Sequence, residues 1–189
     1  MVIEFYIKNM VCERCIRVIH EELQAAGIHL KMIELGHFSI ISDDRERDTA
    51  LVTEVVERGG FALLHEPGQL LAEKVKQSLI HLTDTLPLRI GKKLSVYLSE
   101  QFGMEYSRIS KTFSAREQLT VEKYFIRLKI EKVKELIQDN TCNFTEIAQL
   151  LDYSSINHLS RQFRSETGMS LSVYREMKYN TRRPLDKII

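Results

Sequence analysis

Cys12 and Cys15 are the residues of this chain whose type and spacing most directly suggest chemistry. They follow a strand-like apolar run and precede a helix-like one. A C-x-x-C pair across a loop-to-helix junction can bring two sulfurs to one ion or into one disulfide. A helix N-terminus supplies unpaired N–H groups and a partial positive charge, and both favour the thiolate. Two soft thiolates suit Cu(I) or Zn(II). From the residues alone three readings stand: a metal site, a redox pair, or inert thiols. Cys142 stands alone with no ligand spacing around it and reads as structural. Three cysteines are too few for a disulfide scaffold.

The pair needs elements to hold it. VIEFYIK alternates, with Ile3, Phe5 and Ile7 on one side and Glu4 and Tyr6 on the other, which predicts a strand. CIRVIHEELQAAG sets Ile16, Ile19, Leu23 and Ala26 on one helical stripe and stops at Gly27. HLKMIELGHFSIISDD predicts two strands turning at Gly36-His37. DDRERDTALVTEVVERGG predicts a helix with an acidic start, and FALLHE a last strand. The order β-α-β-β-α-β over residues 1–66 predicts an α+β, ferredoxin-like domain. In that topology Gly36-His37 and Gly59-Gly60-Phe61 share an end with the cysteines, and His29 and His65 fall at the other. His20 lies about 140° around the helix from Cys15. His37 is therefore the one histidine placed to serve as a third ligand, although a solvated turn histidine is the simpler reading.

Asn9-Met10-Val11-Cys12-Glu13-Arg14-Cys15 resembles the M-x-C-x-x-C loop of heavy-metal-associated domains, and the resemblance extends over about the first 66 residues. It implies Cys12 and Cys15 as metal ligands, with Met10 packed beneath the loop. Glu13 and Arg14 replace that family's small residues, and Asn9 its glycine.

Charge separates this front segment from the rest. Residues 1–66 carry 7 Lys/Arg against 12 Asp/Glu, a net of −5, and the remainder carries 20 against 14, a net of +6. A basic back half is the better candidate for nucleic acid. GQLLAEKVKQSLIHLTDT predicts a helix with Leu71, Val75, Leu79 and Leu82 on one face. It packs on its own domain in the simpler reading and dimerises in the sharper one. Beyond it the sequence echoes itself. Lys111–Tyr124 and Arg161–Tyr174 align at an offset of 50, pairing Phe113 with Phe163, Thr120 with Ser170 and Tyr124 with Tyr174. KLSVYLSEQFGM parallels NFTEIAQLLDY just upstream. Each copy reads as helix, turn, helix, the geometry that lays its second helix in a major groove. Residues 120–140 predict a long bridging helix with Thr120 as N-cap.

Three pieces strongly resemble the C-terminal DNA-binding domain of AraC/XylS-type bacterial regulators. They are the run Arg127 to Ile137, the run Phe144 to Ala148, and Leu159 to Gly168 with Tyr174-Arg175. The resemblance covers roughly residues 75–178. It implies an all-α domain with two helix-turn-helix motifs. It also implies promoter DNA and RNA polymerase as partners, and activation more often than repression. The polar groups expected to meet DNA are Ser107, Arg108, Ser110 and Lys111 in the first recognition helix. In the second they are Ser155, Asn157, His158, Arg161 and Gln162. By resemblance Ser107, Lys111, Asn157 and Arg161 face bases; Arg suits guanine and Asn suits adenine. Asp152 stands where the family has glycine, and Arg116-Glu117-Gln118 replaces the Glu-Thr-Gly found at 166–168, so weaker binding is expected from the first motif.

These readings combine into an expected organisation. A sensor domain spans 1–66, a linker helix 67–86, a double helix-turn-helix domain 87–179, and a flexible tail 180–189. The expected protein is a cytoplasmic DNA-binding regulator responding to a soft metal ion, with a homodimer open. No nucleophile–base pair, phosphate loop or motif-spaced carboxylate pair suggests an enzyme, and no apolar run or signal-like N-terminus suggests a membrane or secretion. The alternatives are a regulator whose front domain is a thiol redox sensor or a metal-free interaction module, and a metallochaperone-like protein.

Overall fold

The computed structural model describes residues 1–8, 10, 12–177, 182–185 and 188. Asn9 and Val11 of the cysteine loop, and 178–181, 186, 187 and 189 of the expected tail, lie outside the described residues. The chain divides into two compact units, Met1–Gln77 and Ser78–Ile189.

The first unit runs β1 (Val2–Lys8), α1 (Glu13–Ala25), β2 (His29–Glu34), β3 (His37–Ile41), α2 (Arg45–Arg58) and β4 (Ala62–Leu63). The sheet order is β2-β3-β1-β4, and every neighbouring pair is antiparallel. The alternation read from β1 sets the core face. Ile3, Phe5 and Ile7 are buried with Phe38 and Ile40, and Phe5 stacks on Phe38 with ring centroids 5.1 Å apart. Helix α1 adds Ile19 and Leu23, and α2 adds Val52, Val55 and Val56. Asp44 caps α2 by accepting from the Arg47 amide at 3.1 Å. Strand β4 is shorter than the sequence predicts. Leu64 N–H still donates to the Tyr6 carbonyl at 2.8 Å, but the chain then turns into a helix whose first residue is Pro67.

That helix, α3 (Pro67–Asp84), begins in the first unit and ends in the second. Its first half lies against the outer face of the sheet. The Lys74 ammonium sits 5.0 Å from the Tyr6 ring centroid, and Gln77 packs on Gly36.

The second unit continues with α4 (Leu94–Phe102), α5 (Tyr106–Glu117), α6 (Val121–Asp139), α7 (Phe144–Leu150), α8 (Ile156–Thr167) and α9 (Leu171–Glu176). The sequence echo is a structural one. Helices α5 and α8 have the same length, and α5 ends at Gln118 as α8 ends at Gly168, both left-handed. Thr120 and Ser170 then cap α6 and α9, accepting from the amides of Lys123 and Val173, each at 3.2 Å. Phe113 meets Tyr124 at 5.7 Å, and Phe163 meets Tyr174 at 5.5 Å. Both phenylalanines are completely buried. Truncating either would cost about 3–5 kcal/mol.

At 19 residues α6 is about 28 Å long at ~1.5 Å per residue. It buries Tyr124, Leu128 and Leu136, and with them the charged pair Glu131 and Lys134. No helix among the described residues is long and apolar enough to cross a membrane. The described end of the chain packs rather than hangs free. Arg182 pairs with Glu135 at 2.5 Å, Arg183 N–H donates to Glu131 at 2.8 Å, and the Ile188 carbonyl accepts from Arg127 at 2.9 Å.

Candidate nucleic-acid interface and cysteine pair

Cys12 is the N-cap of α1 and is exposed, and Cys15 is half-buried in the first turn. The Cys12 carbonyl accepts from the amides of Cys15 at 2.9 Å and Ile16 at 3.3 Å, so helix formation itself brings the side chains together. Their sulfurs are 3.1 Å apart. Met10 beside them is completely buried in the core of the unit. The backbone ending in this loop is fixed on both sides: Ile7 N–H donates to the Gly36 carbonyl at 2.9 Å, and Lys8 pairs with Ala62 of β4.

Among the described residues no group of three His, Cys, Asp or Glu side chains could hold a metal ion. His37 has its Nε2 buried with no hydrogen-bond partner among the described residues. Its ring stacks on Tyr6 at 4.6 Å, Nδ1 lies 3.3 Å from Glu34, and Nε2 lies 3.6 Å from Glu4. Burial raises the Tyr6 phenol above its ordinary pKa, and the Glu4 charge adds to this. The donor set at the cysteine pair is therefore two thiols. These two thiols would hold a soft ion only after parting from their 3.1 Å contact.

In the second unit, α5 and α8 each follow a short turn and present a polar face. Ser107, Arg108 and Lys111 are exposed, and Ser110 is half-buried. On α8, Asn157, His158 and Arg161 are exposed and Gln162 is half-buried. Ser107 with Lys111, and Asn157 with Arg161, occupy matching places one turn apart, at the offset of 50. Ile109, Phe113, Leu159 and Phe163 anchor the opposite faces in the core.

Several of these polar groups have local work. Ser155 caps α8 by accepting from the His158 amide at 3.2 Å. His158 Nδ1 is 3.2 Å from the Ser154 hydroxyl. Arg161 Nε donates to the Asn157 carbonyl at 3.4 Å, which leaves the rest of its guanidinium outward. The Tyr153 hydroxyl donates to Gln162 Oε1 at 2.7 Å. Burial holds the Tyr153 phenol far above its usual range, with the Glu166 charge adding to this. Burial also pushes the Lys129 ammonium down to about 8, against the pull of Asp152. That ammonium lies 3.8 Å from the Tyr153 ring centroid.

The first residue of α5 and of α8 is not a charged or amide side chain. Ile156 is 38% exposed, an apolar side chain beside Asn157 with the right chemistry for a thymine methyl. Its counterpart Tyr106 donates its hydroxyl to Glu122, and burial followed by that contact raises its pKa strongly. The sequence signal for Ile156 is an apolar residue directly after a capping serine, off the stripe that Leu159 and Phe163 define.

Residues 98–177 match the family described as "Helix-turn-helix domain". A "Probable transcriptional regulator LumQ" of Photobacterium leiognathi is 25% identical over 154 residues, covering 74% of this chain and 62% of that protein. The "HTH-type transcriptional activator RhaS" of Escherichia coli (strain SE11) is 29% identical over 73 residues, covering 39% of this chain and 26% of that protein. The chain thus spans less than two thirds of the length of either relative. Among solved structures, the C-terminal domain of AraT, a response regulator from Geobacillus stearothermophilus, shares the fold. Its TM-score is 0.50 at 16% identity, covering 62% of this chain and 94% of that one.

Proposed function

We propose that this protein is a sequence-specific DNA-binding transcription regulator of the AraC type, whose ferredoxin-like front unit reports on a soft metal ion through Cys12 and Cys15. One observation carries the DNA reading. The two helix-turn-helix copies repeat element for element, and each sets a polar pair, Ser107 with Lys111 and Asn157 with Arg161, on the exposed face of its second helix. Two recognition helices joined by α6 suit successive major-groove faces about one turn, ~34 Å, apart. Promoter DNA is the partner this reading requires, and RNA polymerase the one it would recruit. In the assignment, Arg161 pairs with guanine, Asn157 with adenine, and Arg108 and Lys111 add phosphate or base contacts. The order β-α-β-β-α-β with strands arranged β2-β3-β1-β4 supports the ferredoxin-like reading of the front unit.

The donor set favours Cu(I) over Zn(II) as the signal. Two thiolates satisfy a soft ion of low coordination number, whereas tetrahedral Zn(II) requires further ligands, and no third His, Cys, Asp or Glu joins the pair among the described residues. When bound, the ion would hold the two sulfurs apart and so fix the first turn of α1. A second reading, a thiol redox sensor, is favoured by the 3.1 Å sulfur contact, which is short enough for the pair to close with little movement.

The test is titration of the anaerobically reduced chain with Cu(I) and with Zn(II), beside Cys12→Ser/Cys15→Ser, reading stoichiometry and promoter-DNA affinity together. One Cu(I) per chain that needs both cysteines and alters DNA affinity is the expected result. A chain that binds DNA but no ion through these cysteines refutes the metal reading and leaves the redox one. A chain with no affinity for duplex DNA refutes the regulator reading.

A further inference from the structure

A cavity of about 300 Å³ lies against α6, beside the last turn of α8 and the described end of the chain. Its lining residues all belong to the second unit. The volume stands at the lower end of the range for small-molecule sites. None of the lining residues belongs to the cysteine pair or to the polar faces of α5 and α8, so the cavity is a separate feature of the unit.

The charges in its wall do not balance. Glu131 is neutralised by the Lys134 ammonium at 2.6 Å and accepts from the Arg183 amide at 2.8 Å. Glu166 is neutralised by the Lys123 ammonium at 2.6 Å. Two guanidinium groups remain. Arg127 donates one N–H to the Ile188 carbonyl at 2.9 Å, and neither its side chain nor that of Arg183 meets a carboxylate among the described residues. A guanidinium carries a planar fork of N–H donors, so most of those on Arg127 are still to be used. Beside these cations, Ile130, Met169 and Ile188 give the cavity an apolar wall.

We propose that this cavity binds a small organic carboxylate, its anionic head held by Arg127 and Arg183 and its apolar body laid on Ile130, Met169 and Ile188. The guanidinium fork matches a carboxylate bidentately, which an ammonium does not. Arg127 is half-buried and carries the stronger contact, while Arg183 is exposed and closes over the head group from the chain's end. Inorganic phosphate would meet the two cations and leave the apolar wall unused, and a neutral molecule would leave both guanidinium groups unanswered. The site stands whether or not α8 reads DNA and whether or not the cysteines hold an ion.

Benzoate is the probe, added to the full chain and followed by thermal unfolding and by NMR of the Ile130 and Met169 methyl groups. Benzamide, with the same shape and no charge, and inorganic phosphate, with charge and no apolar body, are the comparisons. Benzoate should bind with a Kd of about 1 mM or tighter, raise the unfolding temperature with occupancy and shift both methyl signals. Arg127→Gln should weaken it about tenfold, the scale of one charge-assisted hydrogen bond. Arg183→Gln should weaken it less. That variant keeps the backbone bond to Glu131 and changes an exposed side chain, so its fold is not at stake. Arg89→Gln removes the same charge from an exposed place outside the cavity and should change nothing. No benzoate binding, equal binding of benzamide, tighter binding of phosphate, or equal weakening by Arg89→Gln would each overturn the proposal. So would an Arg183→Gln chain that loses affinity for all duplex sequences alike, which assigns this arginine to backbone phosphate.

Discussion

Gln77 occupies the space that a β-carbon on Gly36 would fill, its Nε2 lying 1.5 Å from that position. The carbonyl of Gly36, whose φ is 69°, accepts from the amide of Ile7, one residue before the end of the strand that leads to the cysteine loop. Helix α3, which carries Gln77, runs on into the second unit as one element. Within the first unit, Gly36 thus touches both Ile7 of β1 and Gln77 in the middle of α3.

Gly36→Ala should cost about 1–2 kcal/mol from the left-handed backbone alone and push the Gln77 head group aside. If these contacts carry the signal, Cu(I) affinity should persist while the change in DNA affinity on Cu(I) binding shrinks. Gln77→Ala should reproduce the second effect with little of the first. Chemical denaturation and paired metal and DNA titrations check this, and an intact response in both variants would remove the contacts from the account.

Two positions carry left-handed backbone without glycine in the helix-turn-helix copies. Gln118 has φ of 53° where its counterpart is Gly168, and Asp152 has φ of 55° where its counterpart is Gly103. Gln118→Gly should raise stability by up to about 1 kcal/mol, the relief of strain exceeding the added freedom of the unfolded chain. Asp152→Gly should gain less, since Asp tolerates this region better. Urea midpoints of the two variants measure the difference.

The Glu131–Lys134 pair is buried at 2.6 Å on α6, with both side chains under 10% exposed. Lys134→Met should destabilise by about 3–5 kcal/mol, because the Glu131 carboxylate loses its counter-charge in a dry setting. Glu131→Leu with Lys134→Met should recover most of the loss. Thermal unfolding of the single and double variants tests the coupling.

Lys129 gives a pH signature. Its folded pKa, about 8, lies below the ordinary 10.5, so the unfolded chain holds more protons between these values. The cost of burying the charge is complete below pH 8 and is relieved as pH rises above it. Stability should therefore gain from pH 8 towards 10 in the wild type relative to Lys129→Met. Denaturant unfolding at pH 8, 9 and 10 reads this, and parallel curves for the two proteins would contradict it.

Much of this architecture is legible in the chain. The alternation of Ile3, Phe5 and Ile7 marks the buried face of β1, and the capping roles of Thr120 and Ser170 follow from their place at an offset of 50. Side-chain partnerships across elements are not legible. Nothing local to Gln162 indicates that Tyr153, nine residues earlier, donates to its carbonyl oxygen, nor that Lys129 of another helix steadies the ring. His37 reads as a candidate ligand, yet among the described residues it forms no three-membered ligand group with the cysteines. In the described part of the tail, Arg182 and Arg183 meet Glu135 and Glu131, whose positions depend on the folded α6 and are not legible locally. The run FALLHE forms a strand only at Ala62–Leu63, and Pro67 opens the next helix.

The central claim is that both helix-turn-helix copies read DNA together, and selection from random duplexes by the full chain tests it most directly. The account predicts an enriched site with two halves centred about 10 base pairs apart, one half flattening in Asn157→Ala or Arg161→Ala and the other in Ser107→Ala or Lys111→Ala. A single enriched half, or none, would contradict it.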